Sequence, residues 1–95
     1  MVLAYAVFDL HLPGCRSLKE KRMIVRSLKS RLRSQFEISA AEVGSQDLLQ
    51  RAELAVAAVG PDQVPLDALL QKILTFVEQN LEGELLNYRN EFIQV

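Results

Sequence analysis

The chain has 95 residues, 49% of them apolar and 24% charged, which is the balance of a globular domain and not of a disordered tail or a coiled coil. A chain this short buries only a little more than about 60% of its unfolded surface, so one core is all it can fill and a second domain is excluded. Its only cysteine is Cys15, which rules out an intrachain disulfide, and no apolar run nears the roughly 20 residues that cross a bilayer.

Val2 to Leu10 is apolar at nearly every position, which predicts a central strand, β1. The stretch lacks a basic n-region and carries Asp9, so it reads as a strand and not a signal peptide. After a turn at Leu12-Pro13-Gly14, Ser17-Leu-Lys-Glu20 forms a capping box that starts a helix, α1, at Ser17. Leu18, Ile24, Val25, Leu28 and Leu32 give that helix its apolar face to about Ser34. Phe36 to Val43 predicts β2, closed by Gly44 and a polar Ser45-Gln46-Asp47 turn. Arg51 to Gly60 predicts β3, stopped by Gly60-Pro61-Asp62. Pro65 suits a first helical turn, and Leu66, Leu69, Leu70, Ile73, Leu74 and Val77 form the buried stripe of α2, ending near 80–83. Glu84 to Val95 closes the chain as β4.

The order β-α-β-β-α-β in so short a chain fits a ferredoxin-like α+β domain: a four-stranded antiparallel sheet with two helices on one face. No Gly-rich strand-to-helix loop of the dinucleotide-binding or P-loop kind is present, so ordinary nucleotide-binding βαβ folds are not expected.

Three segments, Ser17-Leu-Lys-Glu-Lys-Arg22, Glu42-Val-Gly-Ser-Gln-Asp47 and Gln50-Arg-Ala-Glu-Leu54, stand in this order over essentially the whole chain. Together they resemble the YlxP-like family of uncharacterised bacterial proteins. The resemblance implies a ferredoxin-like fold and a cytoplasmic protein, often encoded near translation-initiation and ribosome-maturation genes. It implies no reaction and assigns no catalytic residue, cofactor or metal.

Charge carries the most functional information. Residues 1–35 hold eight basic side chains against Asp9 and Glu20, a net +6, whereas residues 36–95 hold three basic and ten acidic ones, a net −7. At about 100° per residue, Lys19, Arg22, Arg26, Lys29 and Arg33 fall within an arc of roughly 80° beside the apolar arc of α1, over about 21 Å of helix. Such spacing suits successive contacts to a nucleic-acid backbone, with RNA or the ribosome as partner. The same stripe also fits a solvated helix face whose cations favour the helix C-terminus.

Other chemistries have less to stand on. Ala52 to Val59 holds no aromatic residue, so base stacking on the sheet is not expected, and Tyr5, Phe8, Tyr88 and Phe92 read as packing residues. His11 and Cys15 are single residues of their kinds with no third group to complete a nucleophilic or metal site. An anion site at Gly14, Arg16 and Ser17, where α1 begins, is the one enzyme-like arrangement. Acylphosphatases use a comparable loop on this fold, but their Gly-rich loop pattern is absent here, so an acylphosphatase-like hydrolase rests on fold analogy alone. A third reading is a self-associating module. With Leu3, Tyr5 and Val7 packed inward beside Leu54 and Val56, the open sheet face would be Ala4, Ala6, Phe8, Ala55, Ala57 and Val59, apolar enough to bury in a homodimer or under another part of the chain. The expected reading is a non-enzymatic cytoplasmic RNA- or ribosome-binding domain, with neither membrane nor metal among its partners.

Overall fold

The computed structural model describes residues 1–95. Its elements are β1 (Val2–His11), α1 (Leu18–Gln35), β2 (Ser39–Gly44), β3 (Arg51–Gly60), α2 (Gln63–Asn80) and β4 (Glu84–Gln94). The strands form one sheet in the order β2-β3-β1-β4, with every neighbouring pair antiparallel. Both helices cover the same face, so the fold is the ferredoxin-like α+β arrangement.

The core lies between that face and the helices. α1 contributes Val25, Leu28 and Leu32, and lies over β2. α2 contributes Leu66, Leu70, Ile73 and Val77, and lies mainly over β1 and β3. The spacing of three and four residues puts each set on one stripe. At the start of β4, Gly83 is needed because a Cβ there would collide with the His11 carbonyl.

Two expectations are corrected. Phe36 does not begin β2. It caps the C-terminus of α1, donating its N–H to the Leu32 carbonyl at 2.9 Å, and sets its ring edge-on to Phe76 at 5.7 Å. The facing of β1 is also reversed. Ala4, Ala6 and Phe8 are fully buried beneath the helices, where they pair across the sheet with Ala58, Val56 and Leu54. Leu3, Tyr5 and Val7 lie on the open face instead. The reason is volume: facing layers must together fill one space at interior density, and the bulky leucines of both helices leave room for alanines below them. On β3 the expected facing holds, and Ala55, Ala57 and Val59 lie on the open face.

That open face is half ionic. Arg51 donates two hydrogen bonds to Asp9, at 2.7 and 2.9 Å, and Arg89 stands 3.5 Å from Glu53. Tyr5 donates its hydroxyl proton to Glu91, and His11 lies 3.3 Å from Glu84. The hydrogen bond to Glu91, and then its negative charge, raise the Tyr5 phenol above the ordinary 10.0. Burial raises Tyr88 in the same direction. An unfolded tyrosine loses its proton at about 10, so the stability these phenols contribute is present below that pH and is lost as pH rises past it. Titration followed by phenolate absorbance should therefore give both transitions above 10, and Glu91→Gln should lower the one belonging to Tyr5. An unmoved transition would mean that Tyr5 has no bond to Glu91.

Candidate nucleic-acid interface

α1 is set by its first turn. Ser17 Oγ accepts the Glu20 N–H at 3.1 Å, and the Glu20 carboxylate reaches back to accept the N–H of Arg16, the residue before the cap, at 3.4 Å. This is a variant of the capping box in which the return bond lands one residue before the cap. Ser17→Ala should lower stability by about 0.5–2 kcal/mol, as loss of an N-cap does. Chemical denaturation measures this, and an unchanged midpoint would place the helix start elsewhere.

The same bonds decide the fate of the anion cradle expected at Gly14, Arg16 and Ser17. The Arg16 and Glu20 N–H groups are taken by the capping box, and the Cys15 N–H is taken by the Leu12 carbonyl at 3.1 Å. The protein's own Glu20 carboxylate is thus the acceptor for the Arg16 N–H that the cradle would have offered an anion. A Cβ at Gly14 would touch nothing, so no close backbone approach requires that glycine. Cys15 is buried in the core, and burial raises its thiol pKa, opposite to what a reactive cysteine needs. His11 has only Glu84 beside it, and no three His, Cys, Asp or Glu side chains gather anywhere in the structure.

Of the five stripe residues, Lys19, Arg22, Arg26 and Arg33 are exposed and Lys29 is half-buried. Lys19, Arg22, Arg26 and Lys29 have no carboxylate within ion-pair distance and no hydrogen bond within the chain. Arg33 differs, because it donates to the Ala40 carbonyl at 2.6 Å and so ties the end of α1 to β2. Of the other basic residues, Lys21 pairs with Glu42, Arg51 with Asp9 and Arg89 with Glu53, Arg31 bonds Asn80 and lies 5.7 Å from the Phe76 ring centre, and the side chains of Arg16 and Lys72 have no partner. Besides Arg16 in the first loop and Lys72 on α2, the cations without a partner, Lys19, Arg22, Arg26 and Lys29, share one side of α1.

Sequence reading missed Lys21. It is the one buried charged residue, 1% exposed, with its ammonium 3.1 Å from Glu42 and donating to the Ser45 carbonyl at 2.5 Å. Ser45 holds a left-handed φ of 58°, an uncommon conformation for a residue with a Cβ, and this turns its carbonyl toward the helix. The signal was available: Lys21 stands four residues before Val25 on the 21-25-28-32 stripe, inside the core arc. Nearby, Leu12 donates to the Gln50 carbonyl at 2.9 Å, and the Gln50 amide donates to the Pro13 and Cys15 carbonyls at 3.3 Å. The segments 17–22, 42–47 and 50–54 therefore meet at one corner, and their shared work there is to lock α1 and the first loop onto the sheet.

The largest concavity, about 710 Å³, lies away from this corner and is lined by Leu3, Ile38, Ala57, Val59 and Leu69, with Glu37 as its only ionisable side chain. It offers no pair of groups for acid-base or nucleophilic work.

Comparison with known proteins places the chain among relatives of the same size. The family profile described as "Protein of unknown function (DUF503)" matches residues 3–90. The uncharacterised protein YlxP of Bacillus subtilis (strain 168) is 36% identical over 91 residues, covering 96% of this chain and 99% of that protein.

Proposed function

Because this chain belongs to the DUF503 family, whose function is unknown, we propose from its own surface that it is a non-enzymatic RNA- or ribosome-binding domain that grips phosphates with α1. Lys19, Arg22, Arg26 and Lys29 make the contacts, and Arg33 braces the end of the helix against β2. One observation carries the reading: these four cations lack acidic partners in a chain that pairs Lys21, Arg51 and Arg89 with carboxylates. A surface that kept them only for solubility would gain nothing by holding them in one arc, where they repel each other. Phosphates spaced along a nucleic-acid backbone relieve that repulsion and release their counterions. The open face of the sheet does not compete for this role. Tyr5 is its only aromatic residue on β1, and it is bonded to Glu91 in a field of carboxylates that would repel RNA.

The test is the affinity for labelled duplex RNA, followed by fluorescence anisotropy as salt is raised. Four phosphate contacts give a slope of log K against log salt of about −3 to −4, from about −0.7 to −0.9 per contact. Binding that ignores salt, or none at low salt, would reject this function.

A further inference from the structure

The two edges of the sheet are finished differently. The β2 edge is six residues long, shifts register between Glu42 and Gly44, and runs into the left-handed Ser45. Those are the devices by which proteins blunt an edge. The β4 edge is 11 residues long, contains neither proline nor lysine, and is hydrogen-bonded to β1 alone. From Asn87 to Ile93 it keeps unbroken register with β1, the irregularity being confined to its first turn of pairing beside Leu85. Nothing in the fold covers its outer side, so its outward N–H and C=O groups form a template for another strand.

We propose that this template is filled by the β4 of a second copy, antiparallel, about a two-fold axis at Asn90. Charge selects both the partner and the register. An axis at Arg89 would set that arginine against itself, and an axis at Glu91 would oppose two glutamates, both of which are unfavourable across a ladder. An axis at Asn90 sets Arg89 opposite Glu91 of the partner subunit, twice by symmetry. On the helix side the same register sets Tyr88 opposite Phe92 of the partner subunit, an aromatic pair of two half-buried rings. Arg89 is available for this, since its side chain is 59% exposed and its link to Glu53 is long, at 3.5 Å. The product is an eight-stranded sheet with four helices on one face. Because α1 lies over β2, at the far side of each sheet, both basic stripes stay on the outer flanks. This dimer is independent of the RNA-binding proposal, and it uses an edge of the sheet rather than the open-face residues named from the sequence.

Sedimentation equilibrium of the full chain at micromolar concentration tests it. The expected mass is twice the 10.7 kDa of one chain. Arg89→Glu and Glu91→Arg should each give a monomer with a retained thermal transition, and the two together should restore the dimer by exchanging the charges. In a separate arm, Asn90→Cys should be joined to its symmetry mate by a short bismaleimide, since the native Cys15 is buried. A monomeric wild type, a dimer indifferent to both single substitutions, or Asn90→Cys that stays unlinked overturns the proposal. So does a dimer that Ala57→Glu on the open face dissolves while the β4 substitutions leave it intact.

Discussion

Lys21→Met should destabilise the fold by about 3–5 kcal/mol, the usual consequence of removing one partner of a buried ion pair. The substitution keeps an apolar stem of the same length, with sulfur in place of the δ methylene, and removes the ammonium. Glu42 Oε2, which accepts no hydrogen bond, then loses the only counter-charge beside it. Ser45 loses the bond that holds its carbonyl in the left-handed turn. Against a total stability of about 5–15 kcal/mol for an ordinary domain, such a loss is about a fifth or more of the whole. The double substitution Lys21→Met with Glu42→Leu should recover most of it, because two apolar groups of similar shape replace the pair without stranding a charge. Urea denaturation of the three proteins decides the matter. Equal stability of Lys21→Met and the parent would mean that Lys21 is solvated and that the lock between α1 and β2 does not exist.

Reversing Arg22, Arg26 and Lys29 together to glutamate should abolish RNA or ribosome association while leaving the thermal transition nearly unmoved. The three side chains take part in no ion pair or hydrogen bond within the chain, so folding loses little when they change. Binding loses three favourable phosphate contacts and gains three repulsive ones. Co-sedimentation with ribosomal particles and a melting curve, taken on the same preparation, separate the two effects. Undiminished binding would remove α1 from the interface.

The two variants probe opposite sides of α1, the buried side that holds the molecule together and the cationic side proposed to bind phosphates, and the sequence showed these sides unequally. The element order was legible because the capping box at Ser17, the stop at Gly60-Pro61 and the two leucine-rich stripes are local signals. The cationic stripe was legible for the same reason, since helical periodicity fixes which residues share a side. What was not legible depended on the opposite layer. In β1, Ala4, Ala6 and Phe8 alternate with Leu3, Tyr5 and Val7 without saying which set faces the helices, and only the bulk of Leu28, Leu32, Leu70 and Ile73 above them settles it. Phe36 read as a strand residue because its aromatic ring suits one, yet it caps a helix and packs on Phe76. Lys21 hid for a related reason. A lysine in the core arc is explained only by Glu42 and Ser45, more than 20 residues away in the chain. At Gly14, Arg16 and Ser17, sequence does not show that the Glu20 carboxylate turns back to accept the Arg16 N–H.

The central claim is that side chains of the α1 stripe sit on phosphates, and the salt dependence of a single-residue variant tests it most directly. Arg26 is exposed and unpaired near the middle of the stripe. Its replacement by alanine should weaken binding to every RNA sequence alike and make the slope of log K against log salt shallower by about one. An Arg26→Ala protein that binds duplex RNA with the wild-type slope would contradict the account.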